Sequence, residues 1–149
     1  MKSTLKIYLR EFIKPSGDLS AAVVDFKSIP LRGVVSIIPH HIDPYLLTAI
    51  LNSSQIAKFV RYHAVSLTKP QFHTILLSEV KNIPIPKFCL DFALGNYKNN
   101  ATGLRHSNIC TSIIELSKEI SRKTKMSPQS NIVFEKLDNL VYSLFELHI

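Results

Sequence analysis

Asp43 followed by Pro44 fixes one helix start, and much of the chain can be laid out from that point. Asp43 can accept a bond from an orphan N–H of the first turn, and Pro44 at the first helical position has no N–H to lose. Leu46, Leu47, Ile50 and Leu51 follow at helical spacing, so one face is apolar. Asn52, Ser53 and Ser54 interrupt that face, because each competes with the backbone for hydrogen bonds. A second apolar set, Ile56, Phe59 and Val60, has Lys58 and Arg61 interleaved with it. A polar link from Ser66 to Gln71 leads to an apolar, strand-like run from Phe72 to Leu77. Ser78-Glu79-Val80 can cap one short turn. Ile83-Pro84-Ile85-Pro86 must be extended, since each proline restricts its predecessor.

Upstream of the cap, Leu5 to Arg10 alternates apolar and polar and continues through Phe12 and Ile13, which predicts a strand. Lys14 to Asp18 is a turn cluster. Ala21–Phe26 and Gly33–Ile38 are rich in β-branched residues and read as two more strands, joined through Ser28–Arg32. Downstream, Phe88–Leu94 is apolar and Gly95–Asn108 polar. Helices are expected over 109–123, with Ser112 and Glu115 at capping-box spacing, and over about 131–147. The 149 residues then divide into a β-meander (1–42), a helix-loop-strand core (43–86), a loop region (87–108) and two C-terminal helices (109–149). That is one α+β domain, a small antiparallel meander packed against helices, and it is large enough to bury a core without staples.

The order of these pieces resembles the C-terminal target-recognition domain of restriction–modification proteins. That family includes type II-G restriction–methyltransferases, adenine-N6 DNA methyltransferases and type I specificity subunits. The matching residues are Tyr45-Leu46-Leu47, Ile50-Leu51-Asn52-Ser53, Leu77-Ser78 and Ile83-Pro84-Ile85-Pro86. The closing helix of such chains is matched at Tyr142, Leu144 and Leu147, while Phe145 and Glu146 depart from the pattern. The resemblance spans roughly residues 20–147. It implies sequence-specific recognition of double-stranded DNA in the cytoplasm of a prokaryote, as partner to a methyltransferase domain or subunit with or without a nuclease.

Catalytic motifs are missing from the chain. A DNA amino-methyltransferase needs a glycine-rich cofactor loop and an Asn/Asp-Pro-Pro-aromatic motif, and neither is present. P-loop and GxSxG spacings are also absent. The 11 acidic residues are scattered, so paired-carboxylate chemistry has no seat. The expectation is a chain that is non-catalytic by itself, with no cofactor, and whose catalytic domain, if it derives from an enzyme, lay upstream. His40, His41, His63 and His73 lack the spacing of metal ligands and read as surface-loop histidines. Cys89 and Cys110, far apart and without CxxC spacing, read as buried free thiols. No apolar run reaches the roughly 18 residues a membrane span requires.

A net charge of +7 favours a polyanionic partner. The polar link supplies the first candidate contacts. Lys69 can meet phosphate, Ser66 and Thr68 can bond phosphate or base, and Gln71 can bond the N6/N7 edge of adenine. The same residues also describe an ordinary solvent loop. His73 extends the link; Lys58 and Arg61 are either phosphate clamps or the solvated face of a helix; Arg32, in the turn between two strands, is a further candidate. The alternative function is a protein-interaction domain that docks through its C-terminal helices.

Overall fold

A computed structural model of the chain describes residues 5–25, 27–64, 73–96, 101–122 and 128–146. Three strands, β1 (Leu5–Arg10), β2 (Ala21–Asp25) and β3 (Val34–Ile37), form one antiparallel sheet. Six helices follow: α1 (Pro44–Leu51), α2 (Ser54–His63), α3 (Leu77–Lys81), α4 (Lys87–Leu94), α5 (Ala101–Arg122) and α6 (Pro128–Glu146). The class is α+β with a helical C-terminal part, as the strand and helix periodicities imply.

The strand order is β2-β1-β3, with β1 in the centre. The chain is therefore not a plain meander: β2 and β3 flank β1, and the connection between them crosses from the Leu5 end of β1 to the Arg10 end. Ile7 and Leu9 are fully buried on one face of the sheet, opposite Ile37 and Val35 of β3. Against that face lies α1, in which every residue from Leu46 to Leu51 is buried. It is enclosed by the sheet on one side and by α5 and α6 on the other.

Asp43 caps α1 as its sequence position implies, accepting from the N–H groups of Tyr45 at 2.8 Å and Leu46 at 3.2 Å. Packing outweighs this cap. Truncating a fully buried leucine such as Leu46 costs about 2–5 kcal/mol, whereas Asp43→Ala is expected to cost about 1 kcal/mol in urea unfolding.

Asn52, Ser53 and Ser54 do more than break the helix. The Asn52 side-chain amide meets both backbone groups of Ala21, accepting from its N–H and donating to its carbonyl, each at 2.8 Å. It thereby ties the end of α1 to the start of β2. Ser53 caps α2, its Oγ accepting from the Ile56 N–H. Asp138 of α6 completes the cap from 84 residues away, accepting from the Ser54 N–H at 2.8 Å and the Ser54 hydroxyl at 2.6 Å.

Several boundaries differ from expectation. The region 87–108 is not a loop: α4 occupies 87–94 and α5 begins at Ala101, eight residues before the predicted start. Ser112 and Glu115 consequently lie inside α5 and cap nothing. The buried positions in the first half of α5 are Gly103, His106, Ser107 and Cys110, a stripe without one aliphatic residue, with Ile109 packed part-buried beside it. His106 meets the ring of Phe88 edge-on, centroids 4.4 Å apart, which docks α4. Of the run expected as a strand over 72–77, the described residues contribute a single bridge, Thr74 to Phe12, before α3 begins at Leu77. Cys89 and Cys110 are free and buried side by side between α4 and α5. The neighbouring Cys110 thiol and burial push the Cys89 thiol far above its ordinary range, so it stays protonated.

Candidate nucleic-acid interface

Three segments converge beyond the Arg10 end of β1. The extension of β1 turns its Glu11 backbone toward the β3 side, where the Glu11 N–H donates to the Gly33 carbonyl at 2.9 Å and its carbonyl accepts from Ile75 N–H at 2.7 Å. Ile13 N–H donates to the His73 carbonyl, also at 2.7 Å. The chain then reverses through Lys14–Gly17, closed by the Gly17 N–H on the Lys14 carbonyl at 2.8 Å. Gly17 has φ +89° and lies flat on α2: a Cβ added there would be 2.2 Å from the Ala57 carbonyl oxygen and 2.9 Å from the Arg61 nitrogen.

This contact sets the Lys14 turn beside the outer face of α2. Lys58, Arg61 and Tyr62 are exposed on that helix. At about 100° per residue they fall within an arc of about 100°, so they present together. The Arg61 guanidinium lies 5.9 Å from the centroid of the Tyr62 ring, and that ring is 78% exposed. A cation placed on an accessible aromatic is suited to phosphate on one side and to base stacking on the other. His63 is engaged locally: it stacks on Phe59, centroids 4.3 Å apart, with Nδ1 2.9 Å from the Phe59 carbonyl.

The predicted contact residues separate into three groups. Lys58 and Arg61 stand together and exposed. Arg32 is exposed in the β2–β3 connection, next to Gly33 and therefore at the same end of the sheet. His73 reaches that end as well, but it is half-buried, and its Nδ1 is enclosed without a hydrogen-bond partner among the described residues, so that nitrogen offers nothing to an external ligand. Ser66, Thr68, Lys69 and Gln71 lie outside the described residues.

Two contributors escaped sequence reasoning. Tyr62 stands four positions after Lys58 and could have been found by extending the helical face by one residue. Lys14 could not, because only the tertiary contact through Gly17 brings its turn to α2. Glu11 and Asp18 bring carboxylates to the same region, and Glu79 lies near the His63 end of α2; Asp18 accepts from the Ser16 hydroxyl and Glu79 from the Leu76 N–H. Among the described residues, no group of three or more His, Cys, Asp or Glu side chains gathers as a metal site would require, and no helix is long and apolar enough to cross a membrane. Comparison with protein-family models, curated proteins and solved structures finds no match to the chain.

Proposed function

We propose that this chain binds double-stranded DNA as a target-recognition domain of a restriction–modification methyltransferase, and is non-catalytic by itself. The observation that carries the DNA reading is the exposed set Lys58, Arg61 and Tyr62 on one face of α2, flanked by the Lys14 turn. The family assignment rests on the motif order from Tyr45 to Pro86 and on the closing helix. In this reading the basic side chains neutralise phosphates and release counterions, while the polar link from Ser66 to Gln71 reads base edges. The partner is a methyltransferase domain or subunit that acts on the base.

Docking through the C-terminal helices is less well supported. The exposed large apolar residues of α6 are Ile132, Phe134 and Tyr142. Successive members of that set are rotated by about 200° and about 80° around the helix, so they form no stripe that a partner helix could cover.

Fluorescence anisotropy with a labelled duplex across a salt series tests the reading. Affinity should fall steeply with salt, and Lys58→Ala/Arg61→Ala should flatten the log–log slope by about two units while leaving the thermal midpoint unchanged. Salt-independent binding, or none, would remove the proposal.

A further inference from the structure

The connection between β2 and β3 is built as a projection. At its first root the Ser28 N–H donates to the Asp25 carbonyl at 3.2 Å and the Lys27 N–H to the Asp25 carboxylate at 3.3 Å. The Ser28 carbonyl then accepts from the Tyr8 hydroxyl at 2.7 Å and from the Lys6 ammonium. Lys6 and Tyr8 alternate with Ile7 and Leu9, so this root is pinned over the face of the sheet opposite the core. The second root is Gly33, whose carbonyl is held by the Glu11 N–H.

Between these anchors stand Ile29, Pro30, Leu31 and Arg32, all exposed. Ile29 is 85% exposed and Leu31 83%, the two most exposed large apolar side chains among the described residues. Scattered surface aliphatics are ordinary. Two of them on one proline-stiffened tip, with Lys27 before and Arg32 after, make an apolar point set between cations. That chemistry fits an anionic polymer with an apolar interior.

Resting on the DNA-binding reading above, we propose that this tip is a wedge: Ile29 and Leu31 enter between base steps of duplex DNA while Lys27 and Arg32 hold the adjoining phosphates. Apolar side chains used in this way unstack a step and kink the helix, and flexible pyrimidine–purine steps yield most readily. An anionic bilayer shares the chemistry but fits less well. Two aliphatic side chains offer less apolar surface than one myristoyl chain, which alone binds a membrane only marginally. A DNA wedge has no such need, because phosphate contacts supply the affinity.

The test uses the whole chain and a duplex of about 30 base pairs with 2-aminopurine at a TA step and a fluorophore on each end. The wild type should raise 2-aminopurine emission and shorten the end-to-end distance, as a kink of about 20–90° would. Ile29→Ser/Leu31→Ser should lose both signals and bind about tenfold more weakly, with an unchanged salt slope. Both side chains are solvent-exposed, so the thermal midpoint should not move. Steep salt-dependent binding to a duplex that stays straight and stacked would overturn the wedge and leave the DNA-binding reading standing. No duplex binding at all would overturn both. Binding instead to phosphatidylserine-containing vesicles, lost in the double variant, would assign the tip to a lipid surface and refute the wedge.

Discussion

Gly17→Ala is expected to destabilise the domain by about 2–5 kcal/mol, measured as a lower urea midpoint. Two costs add. Gly17 has φ +89°, where an alanine side chain costs about 1–2 kcal/mol. The new methyl group would also sit 2.2 Å from the Ala57 carbonyl oxygen, a backbone atom that cannot swing aside. Relieving that overlap requires the turn to lift off α2, and forced overpacking of this kind costs about 1–3 kcal/mol. Gly33→Ala separates the two. Gly33 has φ +79° but nothing within 4 Å of an added Cβ, so only the conformational cost of about 1–2 kcal/mol should appear. Equal effects at both positions would show that the turn does not rest on α2, and the placement of the Lys14–Gly17 turn against that helix would fall with it.

Asp138→Ala should cost about 2–3 kcal/mol. The carboxylate accepts two hydrogen bonds from Ser54 at the N-terminus of α2, where negative charge also suits the helix dipole. Bonds to a charged group contribute about 1.5–3 kcal/mol, and removing Asp138 leaves the Ser54 N–H to find water. Asp138→Asn is the informative companion. Its amide oxygen can still accept from the backbone N–H and its NH₂ can donate to the hydroxyl oxygen, so only the charge is lost. A penalty of about 0.5–1 kcal/mol is expected for it in the same unfolding experiment. If asparagine proves as costly as alanine, charge rather than hydrogen bonding holds this junction.

Local chemistry was the part of the fold legible in the sequence. The Asp43-Pro44 cap, the break at Asn52–Ser54 and the three strands each announce themselves within a few residues. The first half of α5 did not, and the reason is specific. Its buried positions carry Gly103, His106, Ser107 and Cys110, so a search for aliphatic periodicity passes over a face that small and polar side chains mostly fill. The strand order was hidden for another reason: which neighbour β1 takes on each side is a non-local choice, and the local pattern of β2 and β3 is alike. At the candidate interface, Lys58 and Arg61 were visible as cations at helical spacing. What brings Lys14 to them is a close backbone approach, which no pattern of side chains encodes. The exposure of Ile29 and Leu31 was equally invisible, since two aliphatics in a connection read as well for burial as for projection.

The bond between Ser54 and Asp138 also has a consequence for the order in which the domain is made. Ribosomal synthesis delivers the chain from its N-terminus, so β1 to α2 emerge well before α6. Until α6 arrives, the first turn of α2 lacks the acceptor for its leading N–H, and the buried faces of Leu137, Val141 and Leu144 are absent from the core. The helix bearing Lys58 and Arg61 is thus held in its final setting only after α6 has been translated. A nascent chain stalled short of Asp138 would carry the interface residues on a helix with half its cap missing.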